Sequence, residues 1–199
     1  MKSRILMIVG ALLLLTIYFQ PIWNITLEAP QYPIPLGMDI HIDKFYGAND
    51  EHDIKNINLM NHYVGMQYIP ETIPEFKSFP IIVGVMIGLG VLFGFIGKFK
   101  LYLVWFILMS LLGILGMYDF YLWEYDYGHN LDPQAIMQFK NPDGSPMGFQ
   151  PPLFGSKLIL NFTAHSYPRI AAYFLGSGMF LAIAAFFVGR SESKKKAKH

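Results

Sequence analysis

Four apolar stretches punctuate this chain, and nearly every acidic residue lies in the connections between them. They run over about 5–19 (to Trp23 if that ring marks an interfacial end), 79–97, 101–118 and 170–189. A bilayer core takes about 20 predominantly apolar residues to cross. Three stretches approach that length and the first is short, so the pattern predicts an all-α membrane protein: a four-helix transmembrane bundle. The expected layout is a first span over 1–20, an extracytoplasmic segment over 21–78 and a helical hairpin over 79–118. A second extracytoplasmic segment (119–169), a last span (170–189) and a basic cytoplasmic tail (190–199) follow.

Charge predicts the orientation. Lys2, Arg4, Lys98, Lys100, Arg190, Lys194, Lys195, Lys196 and Lys198 flank the spans on one side, where the only acid is Glu192. The remaining acids lie in the two long connections, beside only Lys44, Lys55, Lys77, Lys140, Lys157 and Arg169. Short cationic loops stay cytoplasmic. Both termini are therefore expected in the cytoplasm of a bacterial inner membrane, with both long connections outside. The formal net charge of +1 hides this split. The basic tail reads as a topology signal with weak attraction to anionic lipid, and no nucleic-acid partner is expected. The first stretch begins basic, as a signal peptide does, but no small-x-small cleavage site follows it. Tyr18, Phe19, Gln20, Pro21 and Trp23 end it as an interfacial anchor, so it reads as an uncleaved signal-anchor.

Cysteine is absent. That excludes a disulfide framework, thiol–disulfide exchange, c-type haem attachment and thiolate metal sites. Each long connection is small for an independent core, so the two are expected to form one small mixed α/β cap over the bundle. In the first, Pro30, Pro33 and Pro35 favour extended backbone. Asp39-Ile40-His41-Ile42-Asp43 alternates as a half-buried strand does. Asn49 or Asp50 is placed to cap a helix through about Val64, with Ile54, Ile57 and Asn61 sharing a face. In the second, Asn141-Pro142-Asp143-Gly144-Ser145-Pro146 is a turn signal.

Five of the six histidines and Met38, Met60, Met66, Met137 and Met147 fall in these connections. Thioether sulfur favours Cu(I), and imidazole takes copper in either oxidation state. The expected ligand set is Met38, His62 and Met66, with His41, Met60 and His129 in reserve. His62 and Met66 share a helical face, whereas Met60 aligns with His62 only in an extended chain. Structural roles compete with this reading, because methionine packs cores and a scattered histidine usually hydrogen-bonds or faces solvent. Zinc is disfavoured without cysteine or a HxxxH pair.

A second constellation follows the third span, where Asp119, Glu124, Asp126 and His129 sit in an aromatic run. Part of that run reads as an interfacial belt. Acids close to a membrane are often paired or functional, so a proton relay is the sharper alternative. No nucleophile motif, phosphate loop or metalloprotease signature accompanies them, so no enzyme is expected. The spans hold almost no ionisable side chains for a transport path and no histidine pair for haem. Gly84-x-x-x-Gly88 and Gly90-x-x-x-Gly94 permit close helix contact, either within the bundle or with a membrane partner.

Leu27-Glu28-Ala29-Pro30-Gln31-Tyr32-Pro33, Gly37-Met38 and Asn61-His62-Tyr63-Val64-Gly65-Met66 resemble a known family. So does Tyr118-Asp119-Phe120-Tyr121-Leu122-Trp123-Glu124-Tyr125-Asp126-Tyr127-Gly128-His129-Asn130-Leu131-Asp132-Pro133. They are similar to NosB, small four-span bacterial membrane proteins whose genes accompany nitrous oxide reductase and its maturation proteins. The resemblance implies a non-enzymatic place in the maturation of a periplasmic copper enzyme, or in its electron supply, during denitrification. It implies copper-enzyme maturation proteins as partners and copper as a transient cofactor, and it carries over no catalytic residue. The alternative is a structural scaffold subunit of a membrane assembly or electron-transfer complex, without metal.

Overall fold

The computed structural model describes residues 1–196; Lys198, part of the basic tail read at 190–199, lies outside the described residues. In chain order the elements are α1 (Lys2–Leu13), a 3-10 helix (Leu14–Tyr18), β1 (Trp23–Glu28), β2 (Leu36–Ile40), β3 (Phe45–Gly47) and α2 (Asp53–Val64). Then come α3 (Glu75–Ile96), α4 (Phe99–His129), β4 (Gly155–Ile159), β5 (Phe162–Pro168) and α5 (Ile170–Lys196). They form two compact units. A helical unit takes Met1–Ile22, Pro74–Leu115 and the chain from Arg169 on; a sheet unit takes Trp23–Ile73 and Gly116–Pro168.

The expected all-α, four-helix transmembrane bundle is corrected on both counts. A five-stranded antiparallel sheet accompanies the five α-helices. Among the described residues, three helices (α3, α4 and α5) are long and apolar enough to cross a membrane, not four. The first apolar stretch falls short: its α-helix has 12 residues and the 3-10 helix that continues it five, against the about 20 that a bilayer core requires. Beyond Leu13 the chain tightens into the 3-10 turn, where the Thr16 hydroxyl donates to the Leu13 carbonyl at 2.8 Å. Composition reads the whole run as one span; the backbone divides it.

Within the helical unit α1 packs on α3 and α5 around Met7, Ala11, Met86, Tyr102, Trp105, Ala182 and Ala185. The Trp105 indole donates to the Met86 carbonyl at 2.8 Å. Many large apolar side chains of the three long helices stay exposed, among them Phe95, Ile114 and Phe180. That is how lipid-facing residues look when no lipid is present. The glycine pairs behave unequally. A Cβ at Gly90 would sit 2.5 Å from the Ala11 Cβ and 3.0 Å from the Trp105 Nε1, and one at Gly94 would run into Ile8, whereas one at Gly88 would meet open space. Gly90 and Gly94 therefore serve packing inside the unit.

The sheet unit has strand order β3-β2-β1-β5-β4. Central β1 pairs with β2 (Ile25 opposite Met38) and with β5 (Trp23 opposite Pro168 through Glu28 opposite Thr163). The two long connections thus contribute to one sheet. The strand expected over 39–43 runs instead over Leu36–Ile40, so His41, Ile42 and Asp43 lie past its end, where the His41 N–H donates to the Lys44 carbonyl at 2.9 Å. The 141–146 turn closes with the Asn141 N–H donating to the Ser145 carbonyl at 2.9 Å. Helix α4 spans 31 residues, about 46 Å, longer than a bilayer core requires. Its apolar stretch ends at Tyr118, and its last turns belong to the sheet unit.

Candidate functional site

Inside the sheet unit lies a cavity of about 90 Å³. Met38 of β2, Met60 of α2 and Met66 of the following turn line it together with Glu124 of α4. Apolar and aromatic side chains close the rest, including Ile25, Ile57, Trp123 and Phe149.

Specific backbone anchors place each of these side chains. The buried Asp53 carboxylate accepts the N–H groups of Gly37, Asn49 and Asp50 at 3.0, 2.9 and 3.2 Å through one oxygen. That ties the start of α2 to β2 beside Met38, in place of a cap from Asn49 or Asp50. The Asn24 amide donates to the Met38 carbonyl at 3.3 Å and to the Asp39 carboxylate at 2.8 Å. Helix α2 ends at Gly65, which has a φ of +83° that glycine adopts without a Cβ penalty. The turn that follows returns the Met66 N–H to the Asn61 carbonyl at 2.9 Å. The Asn58 side chain accepts the Ile69 N–H at 2.7 Å and holds the 66–69 segment against α2.

This helix end separates the two residues that the sequence paired. His62 is still on α2, exposed, with its ring stacked on Tyr68 at 6.1 Å. Met66 lies beyond the left-handed residue and is turned toward the interior. His62 and Met66 meet only in an open groove of about 450 Å³ that also takes in Asp132. Among the reserves, Met60 lines the cavity and the histidines do not. His41 is half-buried with its edge on Tyr46, and burial lowers its pKa. His129 is exposed and stacks on Tyr125 at 4.2 Å, with its Nδ1 2.9 Å from the Tyr125 carbonyl.

The acids after the third apolar stretch also divide. Phe120, Trp123, Glu124 and Tyr127 occupy the packed side of α4, while Asp119 and Asp126 are exposed. Gly128 stands one turn past Glu124, and a Cβ there would run into Gln150 at 2.5 Å; the Phe149 N–H donates to the Gly128 carbonyl at 2.9 Å. Phe149 lines the same cavity as Glu124. Glu124 is 0% exposed, and neither carboxylate oxygen has a hydrogen-bond partner among the described residues. It lies nearly two helical turns past Tyr118, in the part of α4 that belongs to the sheet unit. Burial pushes its pKa up to about 8, because desolvation penalises the charged form. The Trp123 indole N–H on the same wall is likewise buried, with the Tyr127 hydroxyl beside it.

Three methionines and one carboxylate therefore line one cavity. Among the described residues no group of three or more His, Cys, Asp and Glu stands together as a metal site. Any metal held here would rest on methionine sulfur. The sequence carried a sign of Glu124: it is the one acid within the Phe120–Trp123–Tyr127 face. Nothing local to Met60 marked it for the same cavity as Met38.

No protein-family model matches this chain, and no curated protein matches it. The fold defines its class directly: a protein with three helices able to cross a membrane, carrying a separate unit built on an antiparallel sheet.

Proposed function

We propose that this protein is a non-enzymatic accessory of the bacterial cytoplasmic membrane that serves the biogenesis, or electron supply, of an exported copper enzyme. Its sheet unit holds Cu(I) transiently. The resemblance to NosB points to an enzyme of the nitrous oxide reductase type. The charge asymmetry supports a sheet unit facing the periplasm with cytoplasmic termini. Reduced copper is soft, and thioethers are the soft ligands left to a chain without cysteine.

One observation carries the reading: methionines from three separate elements (Met38, Met60 and Met66) line a single interior cavity. The test is Cu(I) titration of the detergent-solubilised full chain against a chromophoric Cu(I) chelator. Micromolar or tighter binding is expected, and it weakens in Met38→Leu and Met60→Leu, which keep apolar volume but remove sulfur. A wild-type chain that takes no Cu(I) overturns the copper reading in favour of a metal-free scaffold subunit.

A further inference from the structure

We infer that the Glu124 carboxylate is the charged group that decides what the methionine cavity accepts, namely a soft monovalent cation. The inference rests on the methionine site proposed above and deepens it by naming the ligand class.

A glutamate with no exposed surface and no hydrogen-bond partner is rare, because a buried carboxylate is normally paired or hydrogen-bonded. Here no lysine, arginine or histidine lines the cavity with it. No other polar side chain hydrogen-bonds to it among the described residues. The Asn61 amide donates to the Gln67 carbonyl at 3.3 Å, and the Tyr127 hydroxyl donates to the Tyr68 carbonyl at 3.0 Å. Both carboxylate oxygens are left for an occupant.

The surroundings narrow that occupant by charge and by softness. In a low-dielectric pocket one carboxylate neutralises one positive charge; a divalent ion would leave a net buried charge that nothing else on the wall offsets. Calcium takes six to eight oxygens and magnesium a near-octahedral set with waters, and this cavity offers two oxygens of one carboxylate. Thioether sulfur suits soft ions such as Cu(I), and Ag(I) shares its charge and softness. The methionines alone would supply softness without charge compensation. Glu124 adds the missing charge from an element, α4, that carries none of the three sulfurs.

Ag(I), which needs no reductant, is the probe, titrated into the full-length protein in detergent by competition with a chelator. Glu124→Gln removes the charge and keeps the shape, and it should weaken Ag(I) binding about tenfold or more, within the range seen when groups supporting a metal site are lost. Zn(II) should not compete in the wild-type chain. The infrared difference spectrum gives a second readout: the neutral carboxyl band of Glu124, absent from Glu124→Gln, should vanish when Ag(I) saturates the wild type. If Glu124→Gln fails to fold, Glu124→Leu, which removes the charge and leaves no polar group buried, is expected to fold and to show the same weakening. Equal Ag(I) affinity in wild type and Glu124→Gln, competition by Zn(II), or a carboxyl band that persists at saturation overturns the role of Glu124 while leaving the methionine reading standing. A wild type that binds neither Ag(I) nor Cu(I) overturns both.

Discussion

One carboxylate oxygen of Asp53 receives the Gly37 N–H at 3.0 Å, and that bond sets the distance between β2 and the start of α2. The same oxygen takes the Asn49 and Asp50 N–H groups, so a single buried acid organises the turn and the strand next to Met38. Asp53→Ala would leave three backbone donors without this acceptor. Each unmet buried donor costs about 1–3 kcal/mol, and part of that is recovered where water reaches the turn. The expected loss is about 3 kcal/mol for the sheet unit, read as a shift in chemical denaturation of the solubilised chain followed by tryptophan fluorescence. A loss below about 1 kcal/mol would show that the clamp is dispensable.

Glu124 gives the metal-free protein a pH dependence of definite sign. Its folded pKa is raised to about 8 from the ordinary 4.5. Between those values the unfolded chain has released the proton while the folded chain keeps it. Stability from this group is therefore present below the ordinary carboxylate range and is lost as pH rises toward 8, with a limiting slope of about 1.4 kcal/mol per pH unit. Glu124→Gln should flatten that slope. Parallel pH profiles for wild type and variant would contradict the burial described here.

Substitutions at Gly90 and Gly88, two residues apart on α3, should have opposite consequences. A leucine at Gly90 is driven into Ala11 and Trp105, whereas one at Gly88 enters open space. Overpacking typically costs about 1–3 kcal/mol, while an exposed helical leucine gains a little over glycine. Thermal unfolding in detergent should show Gly90→Leu clearly destabilised and Gly88→Leu at or above wild type. Equal losses at both sites would mean that Gly88 also faces a partner.

Sidedness has a clean test because the chain contains no cysteine. Asp50 and Asp143 are exposed in the sheet unit. Single cysteines there should react with a membrane-impermeant maleimide added to intact spheroplasts. Labelling that occurs only after lysis would reverse the orientation and remove the periplasmic setting of the proposed function.

Three of the four apolar stretches carry their meaning in sequence order, because spanning length and lack of charge are local properties. The helix of the first connection and its end at Gly65 were readable for the same reason: a glycine cap acts on its own last turn. So was the 141–146 turn. Other features required contacts between distant positions. The β1 strand pairs with β5 some 140 residues later, Glu28 opposite Thr163, and nothing in either segment alone names the partner. The first apolar run looked like a span, but its α-helix stops at Leu13 and continues only as a five-residue 3-10 helix. The site divides in the same way. The residue types suggested a soft-metal set of Met38, His62 and Met66 with Met60 in reserve, and, separately, acid–base chemistry at Asp119, Glu124 and Asp126. Tertiary structure lines one cavity with Met38, Met60, Met66 and Glu124 and leaves His62 on the outer face of its helix, because the chain turns at the left-handed Gly65. Burial is decided by what packs across from a side chain, so only the folded unit could leave Glu124 buried without a hydrogen-bond partner in a cavity that three methionines also line.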